Sequence, residues 1–314
     1  VAVCAVLALV GFVLGSRFCS SLTAAAGSGG ALVTAWLLTQ TSYPGAVDTL
    51  AAPFGLFAGL VSAPFLPPGF RRFAIMRPGP VLQVATTGLA AIVLAVGVFW
   101  TGSTNPRIHW FGALRSNGDR STSQVAITFD DGPNPEDTLA VAQILDDHGA
   151  KGTFFEVGKA VVERPDITRS LLADGHVVGN HSYLHDAVRY LDPRYAELDR
   201  AERAIAANAG VCPALFRPPH GTHTPFMSHV VSSRGMTLVT WDVSAQDWVE
   251  DDPDRLARNI LEKVRPGSII LLHDGLDGNI PADRSVVVRA LPAILDGLKA
   301  KGLTPVTLDA LLGV

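Results

Sequence analysis

Charge is almost missing from the first 102 residues, which hold only Arg17, Asp48, Arg71, Arg72 and Arg77. So few charged side chains over such a length exclude an ordinary water-facing surface. The remaining residues hold 21 basic and 28 acidic side chains, a soluble composition with a net charge of about −7. That balance lacks the basic excess that nucleic acid as a partner requires. Cysteine is scarce as well, with Cys4, Cys19 and Cys212 the full set. Beyond residue 102 Cys212 stands alone, so no disulfide forms within that part, and cysteine says nothing of the redox compartment. No CxxC pair occurs, which argues against a thiolate zinc site.

What the first third has instead is apolar length, in stretches at 1–15, 22–42, 46–66 and 81–101. A helix needs about 20 apolar residues to cross a bilayer. The last two meet that need, while Gly27, Ser28, Gly29 and Gly30 interrupt the second. The first is short and starts at Val1 without a methionine, which either a missing piece or an alternative start codon would explain. A cleaved signal peptide explains one such stretch, not four. The expectation is a membrane region over 1–102 with three to four transmembrane helices, the lipid bilayer being its partner. Arg71, Arg72 and Arg77 place the 67–80 loop in the cytoplasm, because basic loops stay inside. The last span then exits, and the rest of this multi-pass chain lies outside the cell membrane. Residues 103–123, with Gly, Ser, Asn and scattered Arg, read as a linker.

From residue 124 to 314 short β-branched runs alternate with amphipathic stretches. QVAITF (124–129), KGTFFEV (151–157), HVVGN (176–180), ALFRPP (214–219), MTLVTWDV (236–243), GSIILLHD (267–274) and LTPVTL (303–308) read as strands. Helical spacing fills 138–149, a stretch up to Ala173, then 195–210, 226–234, 254–264 and 284–300. Alternation of this kind predicts an α/β fold with a parallel sheet. About seven repeats suit a barrel, closed or incomplete, better than an open sheet. Functional residues in such barrels gather at the C-terminal ends of strands. Asp130 and Asp131 end the first strand, His181 follows the third and Arg217 ends the fourth. Asp247 lies after the fifth and His273 ends the sixth, so all six share one rim.

His181 and His185 stand four apart in HSYLH, a spacing that on a helical turn converges two imidazoles on one ion. One carboxylate of the strand-end pair completes a two-histidine, one-aspartate set with positions open to water and substrate. Imidazole ligands favour zinc, or another late first-row ion, over calcium. The other carboxylate is then free to take a proton from an attacking water. Two adjacent acids need a positive partner, and Arg217, stiffened by Pro218 and Pro219, is the candidate. His273 can protonate a leaving group, with Asp247 to orient its ring and hold its proton. Trp248 and Leu271 offer apolar walls for a small group.

Five motifs, TFDDGP (128–133), HSYLH (181–185), RPPHG (217–221), SAQDW (244–248) and LLH (271–273), occur in order. In these the chain resembles the polysaccharide deacetylases of the NodB-homology type, carbohydrate esterase family 4, over about 124–312. The resemblance implies a distorted seven-stranded (β/α) barrel and metal-dependent removal of acetyl groups from sugars. It also implies a role for each motif residue. Asp130 resembles the catalytic base, and Asp131, His181 and His185 the metal ligands. Arg217 resembles the partner of the base, and His273 the acid, tuned by Asp247. Pro218, His220, Trp248 and Leu271 resemble substrate-binding positions, Trp248 and Leu271 framing the acetyl methyl. Zn2+ is the expected ion, with Co2+, Mn2+ and Ni2+ as alternatives. Two positions depart from the pattern: Ser244 stands where an acid is common, and His220 where Tyr or Phe is common. The backbone N–H of His220 is the expected oxyanion donor, which a side-chain change can spare. His109, His148, His176 and His229 fall outside the motifs.

The function expected from this reading is removal of N-acetyl groups from a cell-envelope polysaccharide, peptidoglycan N-acetylglucosamine first. The alternatives are a deacetylase or deformylase of a lipid-linked sugar, and an inactive glycan-binding barrel.

Overall fold

The fourth apolar stretch is one helix, α1 (Pro80–Thr104), 25 residues long and without a charged side chain. The computed structural model describes residues 80–186, 189 and 192–314. The spans expected at 1–15, 22–42 and 46–66 therefore lie outside the described residues. Among the described residues no helix is long and apolar enough to cross a membrane.

The chain divides between Asn105 and Pro106, and the second unit carries the strand–helix repeats. Its elements are β1 (Gln124–Asp130), α2 (Asp137–Asp147), β2 (Thr153–Glu156), α3 (Gly158–Glu163), α4 (Pro165–Ala173) and β3 (Val177–Asn180). Then follow α5 (Ala196–Ala209), β4 (Leu215–Phe216), α6 (Met227–Ser233), β5 (Thr237–Leu238), β6 (Val243–Ser244) and α7 (Pro253–Lys263). β7 (Ile269–His273), α8 (Ser285–Ala300), β8 (Thr304–Val306) and α9 (Leu308–Leu312) complete it. The stretch read as one helix up to Ala173 is two, broken at Arg164. A residue before proline is pushed out of the helical region, and Arg164 has φ −133° and ψ 60° ahead of Pro165.

Every strand pair is parallel, and the strands run in the order β5-β4-β3-β2-β1-β7-β6, with β8 against the start of β1. β5 and β6 come from one apolar run that the sequence suggests is a single strand. The run bends instead, because its first half pairs with β4 and its second half with β7. The two ends of the curled sheet are thus halves of one stretch. Arg115 sits at the bend: its N–H donates to the Leu238 carbonyl at 2.9 Å, and its carbonyl accepts from Thr240 at 2.9 Å. Gly118 bonds to the Gly267 carbonyl at 2.8 Å, and Arg120 reaches Asp242 at 2.7 Å. Residues 115–120, within the stretch read as a linker, are therefore built into the barrel wall.

Two layers of core follow from strand alternation. Val125, Ile127 and Phe129 of β1 pack outward with Ile270, Leu272 and the buried faces of α2, α7 and α8. Ala126 faces inward with Phe155, Leu215, Trp241, Ile269 and Leu271. The inward row of β1 continues through Thr128 to Asp130, which brings a carboxylate up through the barrel to its rim.

Candidate active site

Register sets the first part of the site. In the β1–β7 ladder Asp130 lies opposite His273, so a carboxylate and an imidazole crown neighbouring strands. Asp131 then takes a left-handed conformation, φ 79°, which sends its side chain away from that of Asp130. Gly132 follows because there is no room for more: a side chain there would strike the Asp274 carboxylate. The two adjacent acids consequently meet different partners.

Asp130 meets Arg217, which is fully buried. One guanidinium nitrogen donates to Asp130 Oδ1 at 2.6 Å and to Thr128 Oγ1 at 2.7 Å. The other donates to the Thr240 carbonyl at 3.1 Å, and the group stacks 4.1 Å from the Phe155 ring centroid. Burial lowers the Arg217 pKa, and the Asp130 charge works against that fall.

Asp131 meets the two histidines. His181 Nδ1 lies 2.7 Å from the Arg217 carbonyl, which can only accept, so the ring proton sits there. Its Nε2 lies 3.4 Å from Asp131 Oδ1 and 3.6 Å from Asp130 Oδ2. His185 Nε2 is 3.1 Å from the same Asp131 oxygen. Ligand atoms of Asp131, His181 and His185 all lie within 4.8 Å of one another, and all three residues are buried. Asp131 Oδ1 has no hydrogen-bond partner, although it is sealed from solvent. An orphaned carboxylate oxygen facing two imidazole nitrogens fits a divalent cation. Burial alone would raise the Asp131 pKa, but His181, His185 and His273 together hold it far below the usual carboxylate range.

HSYLH converges by a different route from the helical turn that its spacing suggests. Ser182 and His185 have φ of 67° and 57°, and no helix forms. Asn180 Oδ1 accepts from the Ser182 N–H at 2.9 Å, and Ser182 Oγ accepts from the His185 N–H at 3.1 Å. The loop carbonyls of Ser182 and Tyr183 in turn accept from Gly158 and Lys159, at the start of α3. Side-chain oxygens, not a helical ladder, hold the two imidazoles together.

On the other side of Asp130, the His273 N–H donates to Asp247 Oδ2 at 2.8 Å, and its Nδ1 is 3.1 Å from both Asp247 oxygens. The Trp248 ring stands edge-on to His273 with centroids 5.3 Å apart, and Trp248 is part-exposed at the rim. Leu271 lies two residues down β7 in the buried interior. The Pro218 carbonyl accepts from Gly221, closing the turn that carries His220 at φ 57°. The His220 ring sits edge-on to His185 at 4.7 Å.

Residues 117–239 match the family described as polysaccharide deacetylase. A chitooligosaccharide deacetylase of Bradyrhizobium sp. (strain ANU 289) is 35% identical over 202 residues, 61% of this chain and 92% of its own length. A peptidoglycan-N-acetylglucosamine deacetylase of Bacillus cereus is 32% identical over 201 residues, 63% of this chain and 72% of that protein. The solved family 4 carbohydrate esterase from Streptomyces lividans, in complex with acetate, superposes with a TM-score of 0.52. It is 31% identical and covers 58% of this chain and 91% of its own. The chain belongs to the polysaccharide deacetylase family. As a carbohydrate esterase of family 4, this deacetylase hydrolyses the amide bonds of N-acetyl sugars.

The electrostatics of the deacetylase set His273 apart. Burial works against a proton on His273, yet Asp247, with Asp131 and Asp130 beyond it, outweighs burial and raises it to about 9. The ring thus enters neutral solution already charged and able to donate. With His273 as the proton donor that its motif implies, kcat/KM should hold through neutral pH and fall as pH rises through about 9. The same raised value contributes folding stability below about 6.5 that is lost as pH climbs to about 9. Asp247→Asn should draw the alkaline limb of the pH–rate profile down by about two units, toward an ordinary imidazole. A limb left in place would show that Asp247 does not hold the proton.

Thr128 and Asp274 also belong to the deacetylase site, although the motifs assign neither a role. Thr128 braces Arg217 from two positions below Asp130 on the same face of β1, a place that strand alternation alone could have flagged. Asp274 is buried beneath Gly132, accepts from the Thr138 hydroxyl, and is pushed by burial up to about 7.

Proposed function

We propose that this deacetylase acts outside the cytoplasm on an N-acetylated envelope glycan, with peptidoglycan N-acetylglucosamine as its first substrate, and that it depends on a divalent metal. The observation that carries the reading is the division of labour between adjacent acids, Asp130 on Arg217 and Asp131 on two imidazoles. Asp131, His181 and His185 would hold the cation, and this donor set suits zinc, with cobalt, manganese or nickel as alternatives. When bound there, such an ion supplies Lewis-acid activation of water and of the amide oxygen.

Asp130, fixed by Arg217, takes the proton of the attacking water as it adds to the acetamide carbon. The His220 backbone N–H donates to the carbonyl oxygen as charge develops on it. His273 gives its proton to the departing sugar nitrogen, so that acetate and a free amine leave. Trp248, edge-on to His273, and Leu271 beneath it shape the space for the acetyl methyl.

The sparsely charged first 102 residues and the basic 67–80 loop support an anchored barrel that faces the envelope. A multi-span anchor of that kind favours a second reading, in which the substrate is a lipid-linked sugar presented at the membrane. Both are tested by acetate release from the full chain on purified peptidoglycan, chitooligosaccharide and polyprenyl-linked N-acetyl sugar, each with and without chelator. Chelator-sensitive release from peptidoglycan is expected. Release from the lipid-linked sugar alone would replace the first reading, and release indifferent to chelator would remove the metal from it.

A further inference from the structure

Asp277 belongs to none of the five motifs, yet its Oδ1 lies 2.7 Å from His185 Nδ1. We propose that Asp277 is a positioning residue of the metal centre, fixing His185 with its proton on Nδ1 and its lone pair on Nε2. The proposal rests on the reading of Asp131, His181 and His185 as a metal site.

The two ring nitrogens of His185 have different neighbours. Nε2 faces Asp131 Oδ1 at 3.1 Å, the atom with which it would share an ion. Nδ1 faces Asp277, and His185 is buried, so bulk water cannot supply the missing acceptor. The contact is close without yet having hydrogen-bond angles, and Nδ1 has no other partner among the described residues. A ligating imidazole commonly passes its second N–H to a carboxylate or a carbonyl, which sets the tautomer and strengthens the metal bond. His181 uses the carbonyl of Arg217. Asp277 would give His185 the carboxylate version.

The carboxylate is placed by backbone rather than by a wandering side chain. Leu276 to Asn279 form a tight reversal closed by an Asn279 N–H to Leu276 carbonyl bond of 2.7 Å. Asp277 and Gly278 have φ of 51° and 68°, the paired positive values that an Asp-Gly turn supplies. Gly278 rests on Val157, where an added Cβ would approach Cγ1 to 2.6 Å. Val157 N–H is bonded to the Gly132 carbonyl at 2.8 Å, so the turn is seated on the same loop as Asp131. The half-exposed carboxylate is therefore held in register with the metal ligands.

The test is zinc affinity of the full chain, measured by competition with a chromophoric chelator, with the cobalt absorption spectrum as a second readout. Asp277→Asn keeps a residue that tolerates the turn and removes the charge. It should weaken zinc binding by about 10- to 100-fold and alter the cobalt bands, with metal-free thermal stability unchanged. Asp277→Glu should restore part of the affinity. His185→Ala is the control for the site itself. Affinity of Asp277→Asn within twofold of the parent, with His185→Ala defective, would overturn the role of Asp277 alone. A loss of metal-free stability large enough to explain the weaker binding would also overturn it, making Asp277 a turn residue. If the parent binds no zinc, or His185→Ala binds as the parent does, the metal-site reading falls and this proposal falls with it.

Discussion

Asp130→Asn should reduce acetate release by about a thousandfold while zinc stays bound, the loss typical of a missing general base. An amide accepts no proton from water, and among the described residues no other carboxylate pairs with Arg217. Zinc should remain because Asp131, His181 and His185 contact one another without requiring Asp130. Asparagine also leaves Arg217 buried beside a neutral group, which should cost on the order of 3 kcal/mol of stability. Turnover and zinc content are therefore best measured well below the melting temperature of the variant. Near-normal turnover with zinc in place would remove Asp130 from the proton transfer.

Arg217→Met carries the largest stability effect. Methionine is close in volume, but it strands a buried carboxylate on Asp130 and leaves the Thr240 carbonyl without its donor. Breaking a buried pair from one side costs about 3–5 kcal/mol. For a unit of this size that is a fall in Tm of roughly 10 °C. Arg217→Lys should recover less than half of it. A single ammonium cannot copy a planar fork that serves Thr128, Asp130 and Thr240 while stacking on Phe155. Thermal unfolding of both variants checks this, and a Tm unchanged in Arg217→Met would contradict the assigned role.

The parallel repeats were legible because strand and helix periods differ, and β1, β3 and β7 fall where their apolar runs do. The split of 236–244 into β5 and β6 was not. Nothing local interrupts Met236 to Val243; what bends the run is that its two halves answer to different neighbours, β4 and β7. HSYLH shows the reverse case, since its local sequence carries the signal for a loop. Asn180 and Ser182 are residues whose side chains bond to nearby backbone, and they build the loop that spacing alone suggested was helical. Asp277 was legible as half of an Asp-Gly turn, but not as a neighbour of His185. The sequence separation between them is bridged only by the fold.

The bend at Arg115 has a consequence for where this protein can be cut. An open strand edge is a template on which a second chain can pair, and aggregation begins there. Here the two ends of the sheet path belong to one stretch, and the backbone at its bend is bonded to Arg115. A fragment begun at Gln124, where the first strand starts, would uncover the Leu238 carbonyl and the Thr240 N–H. One begun at Pro106 keeps them covered. The solubility of the barrel therefore depends on residues that precede its first strand.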